Sequence, residues 1–296
     1  MLKRTLFFSN PAHLSTKYNQ LVITDKGNGE IKQAPIEDLG FVVFDNQQIT
    51  FTQSVMQELA ANNTAVVICD KKHMPAAMMF HLDTSQVQNQ RFRHQVSASE
   101  PLKKQLWQQT VKAKIKNQAA LLKYIGKNDD ALNYIAAQVK SGDTTNEEAK
   151  ASRHYWKYLF GKGFRRDRFG APPNPSLNYG YAILRAAVAR ALVGSGLLPT
   201  LGINHHNKYN AFCLADDIME PYRPFVDKAV LELMQTIPDW HVMTKEVKAK
   251  LLEVLTCDIV INKKQRPLMI GLSETTSSLV KCFEGTEKRI KYPALK

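Results

Sequence analysis

Short apolar runs separated by turn-forming clusters dominate the chain up to about residue 82. The clearer runs are 21–24, 41–44, 49–52 and 66–70, with further ones at 5–8 and 78–81. Runs of this length that are rich in β-branched and aromatic residues are typical of strands. One helix is expected among them, at 53–63. The pattern therefore predicts a β-rich, sandwich-like N-terminal domain.

Helical periodicity replaces this pattern from about residue 85 onwards. An apolar stripe recurs at spacings of three to four along a basic helix, at Trp107, Val111, Ile115, Ala119 and Leu122. Further helices are predicted at 128–142 and 145–164, then up to Gly194, and over the remainder of the chain. We therefore predict an α+β protein with a β-rich domain at 1–85 and a larger all-α domain at 86–296.

The net charge of the chain indicates the kind of partner that it binds. Lysine and arginine total 40 against 27 aspartate and glutamate residues, for a formal net charge of +13 in 296 residues. A chain this basic usually meets a polyanion, most often nucleic acid. The four cysteines form no CxxC pair, which argues against a zinc ribbon or a redox motif. Reduced, buried thiols suit a cytoplasmic protein.

Neither a signal peptide nor a membrane span is predicted. The apolar stretch near the N-terminus is too short for a signal peptide. The most apolar long stretch, 181–198, carries Arg185 and Arg190, so we expect a buried or interface helix there. The chain is therefore not expected to bind a membrane.

Residues 150–168 concentrate positive charge and interleave it with aromatic residues. Three arginines belong to the predicted loop that ends this segment, Arg165, Arg166 and Arg168, and Lys162 lies just before it. Such a loop suits contacts with DNA phosphates. For the aromatic residues, an apolar helix face that packs into the core is favoured over stacking on bases.

A histidine pair, His205 and His206, precedes a cluster of carboxylates. Asp217 and Glu220 are spaced to share one face of a helix, whereas Asp216 is expected to face solvent or to cap the helix. Hard oxygen ligands with one imidazole suit Mg²⁺ or Mn²⁺. The histidine pair and the carboxylates that follow it therefore form either half of a metal site or a polar helix after a histidine-containing loop.

Glu148 is the candidate for the carboxylate ligand that this half-site lacks. It follows the predicted N-cap, Thr145 or Asn146, and belongs with Glu147 to the first turn of the helix at 145–164. The nearby cations keep such a carboxylate ionised, as a metal ligand must be. An acid pair in a first turn is also a common way to stabilise a helix, so the residues alone leave both interpretations open.

Three stretches, 144–161, 176–204 and 205–227, resemble the CRISPR-associated integrase family, in the form found in type II systems. Most specific is DIMEPYRPFVD at 217–227, and the resemblance covers nearly the whole chain. It implies the same order of a β-domain and an α-domain. One departure is Ala149, at a position where the family often has glycine.

The resemblance implies a catalytic metal site. Its ligands would be Glu148, His205 and Glu220, with Mg²⁺ or Mn²⁺ bound and His206 as the alternative histidine. Asp217 would be an outer-shell or substrate-side acid. Asn178 and Tyr181 occupy positions that resemble the polar residues between the helices and beside the DNA in the family.

The implied activity is that of a DNA endonuclease and integrase in prokaryotic antiviral defence. The 3′-hydroxyl of a short spacer would attack a phosphodiester of a CRISPR repeat array. Implied partners are double-stranded DNA (spacer and repeat), a second copy of the chain bound through the β-rich domain, and a small ferredoxin-like subunit.

Two other functions remain open at this stage. A stand-alone metal-dependent DNase or junction resolvase would use the same three ligands. A non-catalytic DNA-binding scaffold would keep the fold and the charge, although it would not need intact ligands.

Overall fold

The computed structural model describes residues 3–81 and 86–296. The chain divides into two compact units, Met1–Gln86 and Val87–Lys296. The first is rich in strands and the second is mostly helical. Residue 85, at the predicted domain border, lies outside the described residues.

Within residues 3–81, the strands form two four-stranded sheets. Their bounds are β1 Arg4–Phe8, β2 Ala12–Lys17, β3 Gln20–Asp25, β4 Ile31–Pro35, β5 Leu39–Phe44, β6 Thr50–Phe51, β7 Ala65–Cys69 and β8 Pro75–Met79, with helix α1 at Gln53–Ala61. One sheet has the order β1-β5-β7-β8, and the other has the order β4-β3-β2-β6. In the first sheet β1, β5 and β7 are parallel, and β8 pairs antiparallel with β7.

A single hydrophobic cluster joins the two sheets of the N-terminal unit. Leu14 and Leu21 come from one sheet, Leu39 and Val42 from the other, and all four are fully buried. Val55, on α1, belongs to the same cluster. Two sheets that share one apolar layer form a sandwich. The predicted fold class is confirmed.

Two strands of the N-terminal unit were not predicted from the sequence. β2 has the sequence AHLSTK and β4 has the sequence IKQAP, so neither is a continuous apolar run. β4 lies at the edge of its sheet and ends in Pro35. Proline is tolerated at such an edge because its missing N–H would face solvent. Backbone pairing with β3, rather than side-chain burial, therefore stabilises this strand.

The second unit packs helices around a long central one. The helices are α2 Gln88–Val96, α3 Glu100–Tyr124, α4 Asp130–Gln138, α5 Glu147–Leu159, α6 Asn174–Gly194, α7 Cys213–Met219, α8 Arg223–Thr236, α9 Lys245–Leu252 and α10 Leu268–Phe283. The apolar stripe predicted at 107–122 is buried on α3, which confirms that helix. Among the described residues, no helix is both long enough and apolar enough to cross a bilayer.

The expectation of an all-α second domain needs two corrections. A hairpin of β9 (Asp258–Ile261) and β10 (Lys264–Pro267) occupies a region where only helices were expected. Its turn is formed by Asn262 and Lys263, both with positive φ, a geometry that hairpin turns favour. In addition, the helix predicted at 128–142 ends at Gln138.

A buried carboxylate ties three helices of this unit together. Asp227 on α8 accepts hydrogen bonds from the hydroxyls of Tyr155 on α5, at 2.6 Å, and Tyr181 on α6. Burial raises the pKa of Asp227 to about 6, against the opposing effect of these two hydroxyl donors. Helices α5, α6 and α8 therefore share one polar contact inside the core.

Replacing Tyr155 by phenylalanine should destabilise the helical unit. The substitution removes one donor from the buried Asp227, and hydrogen bonds to charged groups contribute about 1.5–3 kcal/mol. We expect the free energy of unfolding to fall by about that amount in denaturant titrations followed by circular dichroism. Y158F on the same helix, at a partly exposed ring, is the matched control and should change it by less than about 0.5 kcal/mol. Equal losses in both variants would contradict a special role for the Asp227 contact.

Candidate metal centre

The N-terminus of α5 fixes the position of Glu148. The side chain of Asn146 caps the helix by accepting a hydrogen bond from the Ala149 N–H, which selects Asn146 over Thr145 as the cap. The carboxylate of Asp143 accepts hydrogen bonds from the backbone N–H groups of Glu147 at 2.9 Å and Glu148 at 3.0 Å. Two side chains therefore hold the turn from which Glu148 projects. Asp143 was not singled out from the sequence, because the cap was already assigned to Thr145 or Asn146 and Asp143 lies upstream of both.

Glu220 lies in a short 3₁₀ turn, Glu220–Tyr222, between α7 and α8. Its carboxylate is buried, and Oε1 accepts a hydrogen bond from Nε of Arg223 at 2.8 Å. Arg223 therefore pairs with the carboxylate three residues before it in sequence. Burial raises the pKa of Glu220, but the charges of Arg223 and Lys114 outweigh burial and lower it to about 2. This carboxylate is therefore ionised at neutral pH.

Lys114 on α3 bridges the two glutamates. Its Nζ lies 2.6 Å from Oε1 of Glu148 and 2.6 Å from Oε2 of Glu220. Two oxygens in contact with one nitrogen can be no further apart than twice that distance. The fold therefore brings Glu148 and Glu220 together from segments that are distant in sequence.

Asp217 holds the loop that carries His205. Its buried carboxylate accepts backbone hydrogen bonds from Ile203 at 2.7 Å, Asn204 at 2.9 Å and His205 at 3.2 Å. It also contacts Nδ1 of His205 at 2.5 Å. Because an ionised carboxylate only accepts hydrogen bonds, Nδ1 carries the proton and Nε2 of a neutral ring keeps its lone pair. A carboxylate partner on one ring nitrogen is the arrangement that orients the other nitrogen in metal-binding histidines.

Gly202 allows this loop to approach α7 closely. A Cβ at this position would lie 2.4 Å from the carbonyl oxygen of His205 and 2.8 Å from Oδ2 of Asp217. Both distances are too short for any side chain, so only glycine fits. The spacing from Gly202 to His205 is therefore a packing requirement of the histidine loop.

The three predicted ligands are only partly assembled. Glu148 and Glu220 meet around Lys114, and His205 is near enough for its charge to lower the pKa of Glu220. Within residues 3–81 and 86–296, no group of three or more His, Cys, Asp or Glu side chains is arranged to hold a metal ion. His206 is exposed on the loop beside His205.

The residues present nevertheless suit a hard divalent cation. Two carboxylates and one imidazole are the donors that Mg²⁺ or Mn²⁺ accepts. Oε2 of Glu220 is shielded from solvent, and among the described residues it finds no well-aligned hydrogen bond, only the ionic contact with Lys114. The ammonium of Lys114 thus marks a point where the protein already stabilises a positive charge.

The environment of Asp216 differs from the prediction. It was expected to face solvent or to cap a helix, but it is buried and pairs with Nε of Arg185 on α6 at 2.6 Å. It also accepts a hydrogen bond from Asn210 Nδ2 at 2.7 Å. The expectation was wrong because α6 packs against α7 and presents Arg185 to the side of α7 that was predicted to be solvated.

Asn178 and Tyr181, the predicted polar residues of α6, form internal contacts. Asn178 accepts a hydrogen bond from Nη2 of Arg166 at 2.7 Å and donates one to the carbonyl of Arg168. Tyr181 is buried and donates to Asp227, while Arg166 and Arg223 lie over its ring. Both residues therefore connect α6 with neighbouring segments.

The four cations of the loop before α6 divide into two kinds. Lys162, Arg165 and Arg168 are exposed. Arg166 is half-buried and donates to Asn174 and Asn178, so it orders the loop. Phe169, beside Arg168, is 89% exposed. The loop therefore presents three cations and one aromatic ring to solvent.

Sequence comparison gives an independent result. Residues 6–238 match the family described as CRISPR associated protein Cas1. The chain is 36% identical, over all of its length and 97% of the relative, to a CRISPR-associated endonuclease Cas1 of Neisseria meningitidis.

Solved structures share the fold. A casposase bound to an integration product superposes with a TM-score of 0.79 at 18% identity, over 98% of this chain and 92% of that one. A Cas6-RT-Cas1–Cas2 complex gives a TM-score of 0.73 at 19% identity, over 99% of this chain and 36% of that one. At such low identities the likeness concerns the fold alone.

Proposed function

Because the chain belongs to the Cas1 family of CRISPR-associated proteins, we propose that it is a metal-dependent DNA endonuclease and integrase that inserts spacers into a CRISPR array. The observation that carries this proposal is the pair of glutamates, Glu148 and Glu220, held around one positive charge beside the oriented imidazole of His205.

In the proposed site Glu148, Glu220 and Nε2 of His205 hold Mg²⁺ or Mn²⁺. The bound ion supplies a Lewis acid that neutralises charge on the reacting phosphate. Asp217 keeps the His205 proton on Nδ1, Arg223 holds Glu220 in place and keeps it ionised, and Asp143 fixes the turn that bears Glu148. The protein's own contribution is thus to hold the two carboxylates together and to orient the imidazole.

The proposed reaction is a transesterification. The 3′-hydroxyl of a spacer strand forms a bond to phosphorus in the repeat, and the bond between that phosphorus and the leaving 3′-oxygen breaks. The total number of phosphodiester bonds is unchanged. The casposase in the comparison is bound to an integration product, and this supports the proposal of strand transfer for this chain.

The chemistry of the spacer ends tests this proposal. Spacer DNA with 3′-hydroxyl ends is offered with a repeat-containing plasmid and Mn²⁺, alongside the same DNA with 3′-phosphate ends. We expect joined product from the first substrate only, because a phosphorylated end has no nucleophile. Cleavage of the plasmid at equal rates with both substrates, without joining, would instead indicate a stand-alone DNase that uses water.

The exposed cations before α6 are proposed to contact DNA phosphates. The triple variant K162A/R165A/R168A should weaken DNA binding and reduce the slope of log affinity against log salt by up to about 0.9 per lost phosphate contact. Fluorescence anisotropy over a salt series measures both effects. Arg166 is left intact because it orders the loop.

A second triple variant controls for net charge. K116A/K123A/K127A removes three exposed lysines of α3 and the turn after it. It should leave the salt slope nearly unchanged. Equal losses of DNA affinity in the two triple variants would show that the total charge of the protein, rather than this loop, determines the affinity.

The proposed partners follow from the family. DNA is the substrate, and a solved complex that shares this fold contains Cas2 beside Cas1. We propose that this chain likewise assembles with a small ferredoxin-like subunit and forms a homodimer through its strand-rich unit.

A further inference from the structure

Lys114 occupies an unusual position for a lysine on a basic helix. Its side chain is about 10% exposed, and its Nζ is the point at which Glu148 and Glu220 meet. Burial lowers the pKa of Lys114, but the two glutamates outweigh burial and raise it. The ammonium is therefore a fixed positive charge inside the candidate site.

The oxygens that Lys114 contacts are the ones a metal would need. Oε1 of Glu220 already pairs with Arg223, which leaves Oε2 for a further cation. Lys114 contacts that Oε2 and Oε1 of Glu148. A divalent ion held by Glu148 and Glu220 would therefore compete with the ammonium for these carboxylates.

The acid pair also needs a counter-charge in the absence of metal. Two carboxylates this close together repel each other. Lys114, whose Nζ lies 2.6 Å from each of them, offsets that repulsion. A buried pair of this kind carries a desolvation cost, so stability alone is a weak reason for its presence.

We propose that Lys114 is an internal counter-cation that occupies the metal position of the metal-free protein and is displaced when the metal binds. This inference rests on the proposed metal site. It has two consequences. The two carboxylates are held together before loading, and the affinity for metal is lower than the carboxylates alone would give, because the ion must first displace a charge of its own sign.

Mn²⁺ binding to the full chain without DNA tests this role. Equilibrium dialysis should give a dissociation constant about tenfold lower for K114M than for the wild type, because a charge at this distance shifts an ionic equilibrium by about one to three powers of ten. In EDTA the melting temperature of K114M should fall, and Mn²⁺ should raise it by more than it raises that of the wild type. K116M, an exposed lysine on the same helix, should match the wild type in both measurements.

Unchanged or weaker Mn²⁺ binding by K114M overturns the counter-cation role and leaves Lys114 as a structural ion pair. Should K114M not fold, K114Q is measured instead with the same expectation, and K114R, which keeps the charge, should bind no more tightly than the wild type. If the E148Q variant binds Mn²⁺ as tightly as the wild type does, Glu148 is not a metal ligand. That result would contradict both the proposed metal site and the counter-cation role.

Discussion

Replacing Glu148 by glutamine should lower strand transfer by a factor on the order of 10³, because it removes one of two charged ligands where negative charge develops. The amide has nearly the shape of the carboxylate and can still accept a hydrogen bond from Lys114. Since the side chain is also about a quarter exposed, the fold should survive. Single-turnover assays of joined product at fixed Mn²⁺ measure the loss, and circular dichroism checks the fold.

E147Q is the matched control for this variant. Glu147 belongs to the same helical turn but pairs with Lys150 at 2.7 Å instead of Lys114. We expect E147Q to keep activity within about threefold of the wild type, a change below 1 kcal/mol in the barrier. Comparable losses in the two variants would mean that the acid pair acts by stabilising the helix, the alternative that the sequence alone left open.

Replacing Asp217 by asparagine should be the second most damaging change. Each carboxylate oxygen of Asp217 accepts two hydrogen bonds, all from the histidine loop. An amide must place its own N–H₂ group against one of these donor pairs, so the loop and the His205 ring lose their orientation. Residues that orient a metal ligand in this way typically affect metal affinity or activity by about 10–100-fold. We expect strand transfer to require 10–100-fold more Mn²⁺ for half-maximal rate.

D216N separates positioning from general destabilisation. Asp216 is also buried and also paired, with Arg185 and Asn210, but it does not contact the histidine loop at His205. The variant should lower the melting temperature without moving the Mn²⁺ dependence. A shift of the Mn²⁺ requirement in D216N as large as in D217N would indicate that both act through stability alone.

The candidate ligands were predicted from the sequence in two different ways. His205 and Glu220 lie close together along the chain, so chemistry alone could group them as half of a site. Glu148 was a candidate on charge and helix position, and only the resemblance to a family joined it to the others. The structure brings Glu148 to Glu220, whereas the complete three-ligand geometry stays a prediction.

Several supporting residues could not be found from the sequence. Lys114 belongs to a helix with other lysines, and its neighbour Lys116 is exposed, so the pattern is that of a solvated basic face. Arg185 was expected as a polar interruption of an apolar helix, with no partner indicated. In each case the partner lies on a helix distant in sequence, and local periodicity contains no information about that pairing.

The sequence by itself determined the order of a strand-rich and a helical unit, the buried stripe of α3 and the family, because periodicity and contiguous motifs are local properties. The tertiary structure alone decided which charges meet. It placed Lys114 between two glutamates, turned Asp216 inwards to Arg185, and assigned Asp217 to hold the histidine loop. The reason is physical: the energy of a buried charge depends on what packs around it, and packing is set by contacts between segments that the chain itself keeps far apart.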